Sequence, residues 1–173
     1  DNPFKAVDLE QLEALHKNEL AIGNVQNKTR RPFTPEELEV FLREYLPRMS
    51  EELQLITLIC EHAGCRIGDA TGLLLGDYLL RTDDMRPIPS LKIHSNGIRQ
   101  VTKGGIEREI PLFGDVYKRL CSFTDGRKGP DRPLFPTYGR SSGAGNASAA
   151  INKHIHDLRG TEVRLTFHSF RHT

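Results

Sequence analysis

Several things are scarce in this 173-residue chain, and each scarcity excludes something. No run of about 18 or more apolar residues occurs, so no segment reads as a membrane-spanning helix. Cysteine is limited to Cys60, Cys65 and Cys121. An odd, low count argues against a disulfide framework and suits a reducing compartment. The opening residues are polar and acidic, unlike a secretory signal, so the default expectation is a cytosolic location. No internal repeat is evident. Net charge is only +1, which taken whole points to no charged partner.

What is present is ordinary for a globular domain: 37% hydrophobic and 27% charged residues. A chain of this size buries roughly 70% of its unfolded surface and can hold a core without staples. The charge is unevenly spread. Residues 1–53 carry a net −4, residues 54–126 none, and residues 127–173 a net +5. The C-terminal third therefore either presents a basic face to an anion or carries a solvated charged face.

The apolar spacing predicts a short helix over residues 8–20, then a polar linker from Gly23 to Arg31. Thr34-Pro35-Glu36-Glu37 is a capping-box signature, and Leu38, Phe41, Leu42 and Tyr45 follow at helical spacing until Pro47. Ser50 is expected to cap a second, more apolar helix that Gly64 stops, with a third over Ile67–Leu75. Beyond Gly76 the period changes to two. Strands are expected at Leu91–Ile93, Arg99–Val101 and Glu107–Ile110, with turns at Ser95-Asn96-Gly97 and Lys103-Gly104-Gly105. Asp115–Phe123 returns to helix. Residues 125–148 read as loop, with 141–148 the most flexible part, before a helix from about Ser148 to Leu158. The fold class is α+β, mainly helical, with helices packed around a small antiparallel three-stranded sheet.

Three clusters carry candidate chemistry. In Gly64-Cys65-Arg66-Ile67-Gly68-Asp69, an arginine stands between a helix stop and a helix start. There its guanidinium joins free N–H groups in a geometry suited to phosphate, with Asp69 orienting it or capping the helix. The alternative is a surface ion pair between the two. In Thr102-Lys103-Gly104-Gly105, a lysine at a hairpin tip serves either as a general acid reaching into a site or as a solvated charge. In Phe167-His168-Ser169-Phe170-Arg171-His172, His168 and Arg171 share one helical face, a proton-transfer group beside a bidentate phosphate clamp. Phe167 and Phe170 anchor that turn in the core. Cys60-Glu61-His62-Ala63-Gly64-Cys65 has some zinc character but lies in an apolar helical pattern with no second ligand pair, so buried cysteines are expected there instead.

Together these clusters resemble the catalytic domain of the tyrosine recombinases, the phage-integrase family. G-C-R-I-G-D followed by L-L-L-G-D is similar to the family's first arginine box. T-K-G-G-I-E-R-E-I-P-L resembles its lysine-bearing hairpin, and L-T-F-H-S-F-R-H-T its H-x-x-R-H box. The three occur in the family's order over residues 31–173, and R-P-F-T-P-E-E-L resembles the usual opening of the domain.

The resemblance implies a site-specific recombinase or integrase that cuts and rejoins double-stranded DNA through a 3′-phosphotyrosyl intermediate, without metal or other cofactor. Arg66 and Arg171 would clamp the phosphate, Lys103 would be the general acid, and His168 would assist proton transfer. Asp69 and His172 would support them. The family's tyrosine nucleophile follows the H-x-x-R-H box, whereas Tyr45, Tyr78, Tyr117 and Tyr138 all precede it. Residues 31–173 are thus expected to be a catalytic domain truncated before its nucleophile and inactive in cleavage. Residues 1–30 would be a linker or the remnant of an N-terminal DNA-binding domain. The whole protein would assemble as a tetramer on DNA in a bacterial nucleoid or phage setting. An alternative is a DNA-holding module of the same fold that does not cut.

Overall fold

The fold is described from a computed structural model, for residues 31–80, 88–99, 107–159 and 165–172. The expected helix over residues 8–20 and the linker short of Arg31 lie outside the described residues.

Helix α1 spans Pro35–Val40. The capping box forms as the sequence predicts: Thr34 Oγ1 accepts from the Glu37 N–H at 3.2 Å, and Glu37 Oε2 accepts from the Thr34 N–H at 2.9 Å. Arg31 grips the same carboxylate with both guanidinium ends at 2.6 Å. The expected single α-helix through Tyr45 loosens into a π-helical stretch over Phe41–Tyr45 and a 3-10 turn over Leu46–Arg48. Pro47 has no N–H with which to continue the α ladder. The buried face is kept, with Phe41 fully enclosed.

Helix α2, Glu51–Ala63, ends at Gly64 with φ +58, a left-handed conformation that glycine adopts without a Cβ penalty. Ser50 sits at the N-cap position, but its hydroxyl makes no capping bond. Leu53, Leu55, Ile56, Ile59 and Cys60 are buried. Helix α3 covers only Ile67–Thr71 rather than reaching Leu75. The Asp77 carboxylate accepts from the Leu74 N–H at 2.9 Å and opens a separate 3-10 turn, Leu75–Asp77.

Strands β1 (Tyr78–Leu80), β2 (Pro89–Ile93) and β3 (Arg108–Pro111) form an antiparallel sheet in the order β1-β2-β3. Tyr78 pairs with Leu91, and Leu91 in turn with Ile110. The three strands are not the three expected. Two match, whereas Arg99 lies in a turn, and residues 100–101 lie outside the described residues. The reason is local. Asn96 Oδ1 accepts from the Ile98 and Arg99 N–H groups, both at 2.9 Å, and the Asn96 N–H donates to the Arg99 carbonyl at 2.8 Å. These bonds close the turn expected at Ser95-Asn96-Gly97 and extend it to Arg99.

Helix α4 is Gly114–Thr124, as the sequence predicts to within a residue. Helix α5, Gly143–Arg159, begins about five residues earlier than expected, inside the stretch read as most flexible. Its small residues serve close packing. A methyl on Gly143 would overlap the Tyr138 carbonyl, and Ala147 is fully buried. Ala144 faces Gly68 where α3 and α5 pack together. A 3-10 turn, Phe167–His172, closes the described chain and packs on α2 and α5. The helices pack chiefly on one another, a mainly helical α+β architecture.

Candidate phosphate-binding cleft

Two of the three candidate clusters and one further loop meet around an open cleft of about 490 Å³. Arg66 enters from the α2–α3 connection, His168 from the C-terminal 3-10 turn, and Arg140 and Ser141 from the loop before α5. Arg66 and His168 are 102 positions apart in sequence, so it is the fold that brings them together. The placement of Lys103 lies outside the described residues, as do the side chains of Arg171 and His172. The backbone of Arg171 and His172 completes the same 3-10 turn that carries His168.

The Arg66 wall rests on buried charge. Asp69 is 6% exposed, and its Oδ2 accepts from the Arg66 N–H at 3.2 Å, capping α3. The same oxygen takes Arg108 Nη2 from β3 at 2.5 Å. Arg108, whose side chain is 40% exposed, thus ties Asp69 to the strand of the lysine-bearing hairpin. Arg99, 5% exposed, donates to the His94 carbonyl through Nε at 2.8 Å and Nη2 at 2.6 Å, and to the Asp69 carbonyl through Nη1 at 2.6 Å. Asp77 Oδ2 stands 3.6 Å from Arg99 Nη2, while Asp77 Oδ1 takes His94 Nε2 at 2.6 Å. Burial pulls the Arg99 guanidinium below its ordinary value, and the charges of Asp77 and then Asp69 oppose that pull.

The His168 wall is built from rings. Phe170 stacks on Phe33 at 4.6 Å between centroids and meets Phe41 edge-on at 5.3 Å and Phe167 at 5.5 Å. Phe167 and Phe170 thus anchor the turn as expected. Asn152 Oδ1 accepts from the Phe167 N–H at 2.8 Å and fixes the entry of that turn against α5.

Cys60 and Cys65 are buried with their sulfurs 3.7 Å apart, Cys65 lying just past the helix stop and lining the cleft. Burial, followed by the neighbouring thiol, pushes Cys60 well up. No tyrosine lines the cleft among the described residues. Tyr78 bonds through its hydroxyl to Cys121 Sγ at 3.0 Å, and burial raises its phenol.

The cleft and its support contain residues that pattern reading does not single out: Arg99 and Arg140 line the cleft, and Arg108 pairs with Asp69 behind it. Arg108 lies inside the quoted hairpin motif, so a signal for it existed. Arg99 was assigned to a strand, and nothing in its neighbourhood marks it as buried. Arg140, flanked by Gly139 and Ser141, was passed over as loop.

No protein-family model matches this chain, and no curated protein matches it. Among solved structures it is similar to the crystal structure of XerA recombinase, with a TM-score of 0.59 at 15% sequence identity. The match covers 84% of this chain and 48% of that one, so the chain spans about half the length of that recombinase. At this identity the likeness establishes a recombinase-like fold, mainly helical with a small sheet; chemistry has to be argued from the site. Among the described residues, no helix is long and apolar enough to cross a membrane.

Proposed function

We propose that the chain is the phosphate-gripping part of a tyrosine-type site-specific DNA recombinase, and that its cleft receives a DNA phosphodiester. The observation that carries this reading is the convergence of Arg66 and His168 on one cleft within a recombinase-like fold. Phosphoryl transfer of this kind asks a protein to stabilise charge on the non-bridging oxygens and to protonate the leaving oxygen. Arg66 and Arg171 are assigned to the first task, Lys103 to the second, and His168 to proton transfer or a hydrogen bond to the phosphate. Asp69 holds the Arg66 turn through its bond to the Arg66 N–H, and its pairing with Arg108 ties that turn to β3. His172 supports the same box.

No tyrosine of this chain is assigned as nucleophile, since all four precede the H-x-x-R-H box. The 173 residues are therefore proposed to hold DNA without cutting it, and the recombinase reaction is assigned to the whole enzyme.

Duplex binding followed across a salt series tests the reading. Phosphate contacts make affinity fall steeply with salt. Arg66→Ala is expected to weaken binding by about 2 kcal/mol, the scale of a hydrogen bond to a charged group. A nicked duplex incubated with the chain should give no covalent adduct. Salt-insensitive binding, or an Arg66→Ala variant that binds like wild type, would remove the assignment.

A further inference from the structure

We infer that Arg140, which lies in none of the three sequence boxes, is a further phosphate contact of this cleft and takes a phosphodiester other than the one gripped by Arg66. The inference rests on the DNA reading above and extends it to a new residue.

Four observations lead to it. Arg140 lines the same cleft as Arg66 and His168 but arrives from a separate segment. It is exposed, and its guanidinium has no ion pair or hydrogen bond among the described residues. Arg99, which lines the same cleft, is by contrast committed to the His94 and Asp69 carbonyls. The backbone beneath Arg140 is fixed. Gly139 N–H donates to the Phe135 carbonyl at 2.6 Å, Arg140 N–H to the Tyr138 carbonyl at 2.8 Å, and Gly143 N–H to the Arg140 carbonyl at 2.8 Å. No Cβ fits at Gly139, against Pro133, nor at Gly143.

The loop is also tied down ahead of Arg140. Thr137 bonds to Glu52 of α2 through Oγ1 at 2.8 Å, and Arg127 donates to the Leu134 and Pro133 carbonyls at 2.8 and 2.9 Å. A long cationic side chain on a pinned backbone loses less freedom on binding than one on a mobile loop. The only carboxylate lining the cleft among the described residues, Asp69, is already paired with Arg108, so the field that Arg140 adds to is cationic.

The size of the cleft separates the two arginines' tasks. A volume of about 490 Å³ falls in the range that holds a drug-sized ligand, well above what a single phosphate fills. Phosphate contacts carry no sequence information themselves, and Arg140 is accordingly assigned to positioning the strand.

The test measures duplex binding by the 173-residue chain over roughly 50 to 200 mM salt, on two unrelated sequences, for wild type, Arg140→Ala, Arg140→Lys and Arg66→Ala. Arg140→Ala is expected to lose about tenfold in affinity on both sequences, with the log–log salt slope shallower by about 0.9. Arg140→Lys should keep the slope while losing part of the affinity. A thermal melt checks folding. If Arg140→Ala melts early, the Lys variant decides: a wild-type slope upholds the contact and a reduced one rejects it.

Wild-type affinity and slope in Arg140→Ala, alongside a loss in Arg66→Ala, would overturn the inference and leave the DNA reading standing. Loss on one sequence only would make Arg140 a base reader and overturn the phosphate assignment. Absence of salt-dependent binding by the wild type would remove both.

Discussion

On one side of the cleft, Arg66 stands over a network of charge: the buried Asp69, Asp77 and Arg99, with the partly exposed Arg108. On the other, His168 stands on a stack of phenylalanines: Phe33, Phe41, Phe167 and Phe170. The two walls hold a site residue in place by different physics. Rings contribute through apolar area and dispersion, are indifferent to pH and salt, and fail by leaving a cavity. Shielded charges contribute little beyond their desolvation cost while complete, and fail badly when one partner is removed. Their gain lies in direction: Asp69 Oδ2 holds both the Arg66 N–H and Arg108, and each of the three guanidinium nitrogens of Arg99 donates to a carbonyl, which fixes the backbone from which Arg66 projects.

The difference is sharpest for Phe170→Ala. Phe170 is 3% exposed and touches three other rings. Truncation is expected to cost about 3–5 kcal/mol, read by urea unfolding, with the same loss at low and high salt. A loss under about 1 kcal/mol would mean that the rings are not what holds the His168 turn.

Asp77→Ala comes next and probes the charged wall. Asp77 and Arg99 side chains are 4% and 3% exposed, so removing the carboxylate strands a guanidinium in the interior. Breaking a buried pair from one side costs about 3–5 kcal/mol. Here Arg99 keeps its three bonds to carbonyls, which places the expectation at the lower end, about 3 kcal/mol. Asp77→Ala combined with Arg99→Met should recover much of the loss, whereas no single substitution opposite Phe170 rescues a missing ring. A double variant as unstable as Asp77→Ala alone would remove the distinction between the walls.

The aromatic wall was largely legible in the sequence. Phe167 and Phe170 flank a charged box at helical spacing, and Phe41 falls on a predicted apolar face. The capping box at Thr34 and the stop at Gly64 were equally plain, because cap chemistry is local. The charged wall was only half legible. Asp69 and Arg66 are neighbours in sequence, but the partners of Asp69 and Arg99 come from β3 and from the 3-10 turn, and no spacing rule links Arg108 to Asp69 across 39 positions. The start of the helix after Arg140 is hidden for a different reason. Glycine and serine mark both mobile chain and close packing, and only the clash at Gly143 with the Tyr138 carbonyl tells the two apart. The turn expected at Ser95-Asn96-Gly97 runs on to Arg99 because the Asn96 side chain accepts from the Ile98 and Arg99 N–H groups.

The smallest effect tests an ionic element in the aromatic wall. Phe33, which stacks on Phe170, sits between Arg31 and the capping box, and Glu37 holds both. The hydrogen bond from Arg31 is the main reason that the Glu37 carboxyl lies below its ordinary value of 4.5. A depressed folded-state value means that the stabilisation is fully present above the unfolded value and is lost as pH falls through the folded one. Glu37→Gln keeps an acceptor for the Thr34 N–H but loses the ion pair. Both partners are about a quarter exposed, 27% and 26%, so the cost near neutral pH is expected to be about 0.5–1 kcal/mol. The gap between wild type and variant should stay level down to about pH 4.5 and close below it. A gap that persists in acid would assign the effect to packing around Phe33 rather than to charge. A gap as large as that of Phe170→Ala would show that the aromatic wall depends on its ionic strap as heavily as on its rings.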